Sequence, residues 1–400
     1  MNAPAAPTRE NRRARGAVAA LFLTNGALFA NMAPRLPEFK AQLGLDAGAY
    51  GLLVAAWPTG AIIAGLAAGS LIRRFGSAAV AVFGTLATGL AVLGAGSAGS
   101  LVLVAVAFVV GGAMDAITDV AQNAHGLQVQ RRYGRPILNS FHALWSVGAV
   151  LGGLMAAGAM ALGLPLAAHF TISALLFAAV ALTAFKFCLP ARGPVEPVGE
   201  QAADAGPVRV FTRARIVVAI AALVLIASAG IMVEDAGNSW ATLYLGSLGA
   251  PSALAAAGYI ALVGAQFIGR ILGDGLVHRF GQRLVAQLGA VLVAGGMGLA
   301  LAFPSIPGSL LGFAAAGFGV AMLVPAAMDQ ADKIPGLAPG TGLSVVSWLM
   351  RLGFLLSPPL VGFIAQAFSL RAGLLVVPAA GVIVLLCSPV LNARRSKGRR

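Results

Sequence analysis

Charge is scarce in this chain. Asp, Glu, Lys and Arg together make up 10% of its 400 residues, against 59% apolar residues. A water-soluble domain carries about 25% charged residues, because its surface must face water. A globule of this size cannot be kept in water by so few charges, so lipid is left as the solvent for most of the chain. Cysteine is nearly absent as well. Cys188 and Cys387 are the only two, both in apolar runs, which excludes a disulfide framework and reads as packing. No GxxxxGK[ST] phosphate loop is present, so no ATP motor is encoded. There is no Cys/His metal spacing and no Gly-x-Ser-x-Gly nucleophile elbow. These absences predict a protein that is not an enzyme and that uses no cofactor and no metal.

Acids are scarce relative to bases, 13 against 27, for a net charge of +14. Such a balance can signal nucleic-acid binding, but the positions of the bases exclude that reading. Arg9, Arg12, Arg13 and Arg15 precede the first apolar run, Arg394, Arg395, Lys397, Arg399 and Arg400 follow the last, and most others fall in short loops. The basic start followed by an apolar run has the look of a signal peptide. Without a distinct small-residue cleavage site, it is predicted to be a retained helix.

Long apolar runs are what the chain has in quantity. A helix crossing about 30 Å of hydrocarbon needs roughly 20 mostly apolar residues. That ruler predicts twelve spans, near 16–34, 48–72, 77–97, 100–124, 137–162, 165–189, 213–236, 252–276, 282–303, 307–328, 340–366 and 370–391. The Pro-, Gly- and charge-rich stretch 190–212 is predicted to be a cytoplasmic linker between an N-terminal six-helix bundle, 1–189, and a C-terminal one, 213–400. Twelve spans put both termini on one side. On that side fall 22 of the 27 bases, whereas only Arg35, Lys40 and Arg371 fall on the other and Arg270 and Arg351 within spans. Basic loops stay in the cytoplasm, so a multi-pass protein of the inner (plasma) membrane with both ends cytoplasmic is expected. Gly, at 52 residues, suits helices that must approach closely in lipid.

An internal repeat supports two equivalent halves. The segment GSLIRRFG at 69–76 recurs as DGLVHRFG at 274–281, so that Leu71/Leu276, Arg74/Arg279, Phe75/Phe280 and Gly76/Gly281 coincide at one offset. A Gly turn with an Arg beside it at the membrane face makes Arg74 and Arg279 candidate gating residues.

With that repeat and twelve spans, the chain resembles the major facilitator superfamily over nearly its whole length. That resemblance implies an all-α membrane fold of two pseudo-symmetric six-helix bundles and a secondary carrier working by alternating access, with first and fourth helices of each half lining a cavity between the halves. In this chain Arg73 and His278 stand where the family's inner loop has an acid. More local segments resemble the fucose:proton symporter-like branch: PEFK at 37–40, DVAQNAHG at 119–126, SFHALWS at 140–146, Glu234 followed by Trp240, and LSPPLVG at 356–362. In that branch, acids on the first and fourth helices are implicated in proton coupling. The fourth-helix acid matches Asp119, while the first-helix acid falls near Ala30.

Ionisable groups inside a bilayer cost at least about 2.5–3.5 kcal/mol each and by default mark function. Asp115, Asp119 and Asn123 recur every four residues and share one helix face. Asp119 is the first candidate for proton coupling, with a structural acid bonded to a neighbouring helix as the bland alternative. Asp115 stands evenly between those two readings. His142, about five residues into the fifth span, is expected beside Asp119, at a similar depth in the fourth, as a proton relay. Asn25, Asn123, Arg351, Glu234 and Trp145 are the candidate substrate-binding residues. Arg351 is expected near mid-membrane without an acid on its own helix. Arg270 is expected to pair with Asp274 one turn below and to help close a gate. Glu234 and Asp235 are expected at the outer mouth of the seventh span, open to solvent, and His125 at the interface.

The composite expectation is a monomer in the bilayer that takes up a small polar, sugar-like solute with protons. A proton-driven exporter of amphipathic drugs or metabolites is the main alternative, and a non-transporting membrane receptor is the third.

Overall fold

A computed structural model of the chain describes residues 8–134, 137–190, 213–337 and 340–391. The predicted linker 190–212 therefore lies almost wholly outside the described residues, as do Arg135 and the basic C-terminal tail. Among the described residues, twelve helices are long and apolar enough to cross a membrane. They are α1 (Arg9–Gln42), α2 (Ala47–Gly65), α3 (Ser77–Ser97), α4 (Leu101–Tyr133), α5 (Leu138–Ala161), α6 (Leu166–Phe185), α7 (Arg213–Ser247), α8 (Ser252–Phe280), α9 (Gln282–Ala302), α10 (Ile306–Ala331), α11 (Thr341–Ala367) and α12 (Leu370–Val390). The structure is an all-α membrane fold.

Several boundaries differ from those expected, and for one reason. An apolar run measures the thickness of lipid, whereas a helix continues until its backbone is interrupted. Apolarity fades after 124, but α4 runs on through good helix formers such as Gln128, Gln130 and Arg131 to Gly134, whose left-handed conformation (φ 68°) ends it. Nothing breaks α7 at 236 either, and it extends 35 residues to Ser247, before Gly249 (φ 87°) and Pro251. The second span, expected to reach 72, stops at Gly65, and a separate short helix, Ala68–Phe75, carries Arg73 and Arg74.

The chain divides into two compact units, Met1–Val195 with Pro251–Ala257, and Glu196–Ala250 with Gly258–Arg400. In the first, α1 packs on α5 and α6, and α4 on α2 and α3. Leu21, Ala81, Ile117, Ala121 and Ala181 meet in one buried cluster there. In the second, α7 packs on α10, α11 and α12, and α9 on α10 and α12.

The offset of 205 residues that relates Arg74 to Arg279 extends well beyond the sequence motif. Gly112 of α4 lies against the Trp57 carbonyl of α2, and Gly317 of α10 against the Leu262 carbonyl of α8, so closely that a methyl group at either glycine would overlap the oxygen. Gly148 lies on the Leu23 carbonyl, and Gly353 on that of Ser228. Phe39 meets Phe108 edge-on at 5.5 Å, and Tyr244 meets Phe313 likewise at 6.5 Å. Arg74 stands 5.2 Å over the Phe75 ring, and Arg279 stands 5.3 Å over Phe280. Each second contact is the first shifted by that same offset. Lipid does not press apolar helices together as water does, so backbone approach at small residues holds such bundles, and that set of approaches is what the repeat preserves.

Candidate functional site

In the first unit, α1, α4 and α5 bring five of the expected polar residues and Trp145 into two adjacent rungs. Asp115 lies at the middle of the 33-residue α4, where its Oδ1 accepts a 2.8 Å hydrogen bond from Asn25 Nδ2 of α1. Asn25 Oδ1 in turn accepts one of 2.9 Å from Trp145 Nε1 of α5. Close backbone approach makes this possible, because Gly26, next to Asn25, lies directly on the Trp145 carbonyl. Asn25 is 5% exposed, and it satisfies a carboxylate and an indole at once. Trp57 of α2 adds a further hydrogen bond to Asp115.

One turn along α4, Asn123 Nδ2 donates to Asp119 Oδ1 at 3.1 Å and to the Asp119 carbonyl at 2.9 Å. Asn123 Oδ1 lies 3.1 Å from His142 Nε2 of α5. As an amide oxygen can only accept, His142 donates there, which puts a proton on Nε2. His142 also stands edge-on to Phe22 at 5.2 Å. Asp119 and His142 thus belong to one chain of hydrogen bonds, with Asn123 as the bridge, and both are exposed. Because α4 continues past its apolar run to Tyr133, Asp119 lies 14 residues, about 21 Å, from the end of its helix.

In the second unit, two expectations are overturned. Arg270 reaches Glu234 across the α7–α8 interface, at 3.7 Å, and not Asp274, which is exposed. Gln266 Nε2 holds the same Glu234 oxygen at 2.7 Å. The i,i+4 spacing permits Arg270–Asp274, but Gln266 and Arg270 have the same spacing and both turn toward α7. Glu234 and Asp235 do not sit at a solvated mouth: α7 continues past them, and Asp235 is only 4% exposed. Arg351 is exposed and begins a new helical segment after a break at Met350 that divides α11. Arg74 and Arg279 occupy equivalent positions in the last turn of a helix, before Gly76 and Gly281, both with positive φ.

His125 is fully buried rather than interfacial. Leu189 N donates to its Nε2 at 3.3 Å, leaving Nδ1 to donate to Ser77 Oγ at 3.0 Å, which is a structural role. Neither cysteine is in a disulfide, and burial pushes the Cys188 thiol up to about 11, so it is not a reactive thiolate. Among the described residues, no three His, Cys, Asp or Glu side chains are grouped to hold a metal ion. The sequence reading missed Gln266, although its spacing from Arg270 was visible, and it missed the link from Asn25 to Asp115, which no single-helix pattern could show.

The model of the Major Facilitator Superfamily matches residues 18–338. The chain belongs to that superfamily. It is a multi-pass membrane transporter of that type, and its relatives include an uncharacterized transporter of Sinorhizobium fredii, 27% identical over 94% of this chain and 97% of its own length. Among solved structures, the nucleoside transporter NupG superposes with a TM-score of 0.70 at 14% identity, covering 96% of this chain and 98% of that one. A D-xylose-proton symporter superposes at 0.69 with 15% identity, covering 94% and 96%. These two likenesses are of fold.

Proposed function

We propose that this transporter takes up a small polar, sugar-like solute together with protons by alternating access. The carrying observation is the pair of rungs in the first unit. A carboxylate at the middle of a membrane helix is costly, and here two occur one turn apart. A proton taken by either relieves their like-charge repulsion. Asp119 is the coupling carboxylate in this reading, as in the fucose:proton symporter-like branch that its surroundings resemble. Asn123 ties it to His142, and Asn25 fixes the orientation of Asp115 while bringing Trp145 to the same place.

Within the first unit Asn25, Asn123 and Trp145 then offer a polar solute donors, acceptors and an aromatic face. The second unit, taken by itself, has Glu234 and Arg351 as its candidate charged contacts. Arg74 and Arg279, each stacked on a Phe beside a Gly turn, gate the path, with Arg270 and Asp274 as further candidates. Among structural neighbours, a nucleoside transporter and a D-xylose-proton symporter indicate that this fold accommodates polar cargo of that size. The basic loops support a carrier with both termini in the cytoplasm, in the inner (plasma) membrane, and in this reading it acts as a monomer.

The test is uptake into proteoliposomes of solutes first chosen by thermal shift, since a ligand stabilises the folded carrier by mass action. Accumulation that follows an inward proton gradient, and vanishes when the gradient is collapsed, supports the reading. Accumulation indifferent to the gradient, or driven only when it is reversed, removes it.

A further inference from the structure

The second unit holds a polar site that the rungs of the first do not explain. On α7, Asp235 and Asn238 are three residues apart and therefore neighbours on one helix face. They are 4% and 8% exposed. Asp235 Oδ2 and Asn238 Oδ1 are both buried and, among the described residues, neither has a hydrogen-bond partner. Both atoms are acceptors, so what each lacks is a donor or a positive charge. Two hydroxyls, Ser239 one turn along α7 and Ser357 of α11, stand beside the Asp235 carboxyl, and Ser357 reaches the Met232 carbonyl at 3.4 Å.

The surroundings are thus made of oxygen: a carboxylate, an amide carbonyl, two hydroxyls and a main-chain carbonyl. Hard cations select such a set. The adjacent Arg270 cannot serve as the missing charge, because it is paired with Glu234. A divalent ion is a poor match, since no three acidic or imidazole groups gather among the described residues. One carboxylate among neutral oxygens balances a single positive charge. Leaving buried acceptors unsatisfied costs about 1–3 kcal/mol each, and more for a charged one, so occupation has a physical driving force.

The repeat shows that this site is particular to one unit. At the offset that joins Arg74 to Arg279, Asp235 and Asn238 correspond to Ala30 and Ala33, both 1% exposed and apolar. Ser357 corresponds to Gly152, which packs on the Ala27 carbonyl as Ser357 meets that of Met232. The frame is therefore the same, and at these positions only the second unit carries the oxygens.

We infer that Asp235 and Asn238 form a sodium-binding site between α7 and α11. It is independent of the proton-coupling reading, because no residue is shared and the readout is stability rather than flux. The experiment is thermal unfolding of the full-length protein in detergent, in choline chloride buffer titrated with NaCl at constant ionic strength, with KCl as the parallel arm. A saturable rise in Tm with NaCl, weaker with KCl, is expected for the wild type. Asp235→Asn is expected to abolish that rise. Asn238→Ala, which keeps the carboxylate and so tests the site even if Asp235→Asn does not fold, is expected to raise the half-saturating concentration roughly tenfold or more. A wild-type Tm indifferent to sodium, a Tm rise that is equal with KCl, or a sodium response unaltered in both variants overturns the inference.

Discussion

The two units share a packing frame and differ in almost every polar residue set upon it. Gly112 and Gly317 make the same backbone contact, as do Gly148 and Gly353. Yet Asp115 and Asp119 correspond to Val320 and Val324, Asn25 to Gly230, and Trp145 to Met350. Conversely, Glu234, Asp235 and Arg270 correspond to Phe29, Ala30 and Gly65. The shared part holds helices together where lipid supplies little force between them. The unshared part is free to diverge, and it is where each unit carries its chemistry. Polarity at a position whose equivalent is apolar is a better guide to function here than polarity alone.

That comparison can be broken or sharpened by paired substitutions. The largest effect is expected where the units agree. Leu in place of Gly112, or of Gly317, forces a side chain into a backbone carbonyl, beyond the usual cost of about 1–3 kcal/mol for overpacking. Both variants are expected to yield little folded protein on detergent size-exclusion chromatography, and a normal profile for either would show that the frame is not shared. A smaller, one-sided effect is expected at the first rung. Asn25→Ala leaves the Trp145 indole and the Asp115 carboxylate each short of a partner, at about 1–3 kcal/mol, visible as a lower Tm and impaired uptake. The equivalent change, Gly230→Ala, meets Leu323 Cβ at 3.3 Å and is expected to stay within about 1 kcal/mol. The smallest effect separates the two carboxylates near Arg270. Asp274→Ala, at an exposed position, is expected to lie within about 0.5 kcal/mol of wild type. Arg270→Ala, which strands Glu234, is expected to lower Tm clearly more, and equal effects would restore Asp274 as the partner.

Much of the fold was legible because membrane helices are written in composition. Twelve apolar runs appear as twelve helices, and the GSLIRRFG/DGLVHRFG pair gave the offset that later organises the packing. Helix ends were legible only where a Gly or Pro coincides with the edge of an apolar run, as at Gly76, and not where a helix outlasts the lipid, as at Tyr133 and Ser247. For that reason Asp119 and Glu234 lie well inside their helices rather than near the helix ends. Side-chain neighbours on one helix were legible, as for Asp119 and Asn123. Neighbours across helices are less legible: shared depth puts His142 near Asp119 but does not show Asn123 between them. Spacing offers Arg270 the acid Asp274, whereas its partner is Glu234. No pattern within α1 could reveal that Asn25 joins Asp115 to Trp145, because the contact depends on how closely Gly26 lets α5 approach.

The most direct test of proton coupling through the first unit compares uphill accumulation with solute-for-solute exchange in proteoliposomes carrying Asp119→Asn. A coupling carboxylate is needed to use the gradient but not to reorient the loaded carrier. Accumulation is therefore expected to vanish while exchange stays within about twofold of wild type, the size of an effect below 1 kcal/mol on a rate. Retained accumulation, or loss of accumulation and exchange together, would contradict the role given to Asp119.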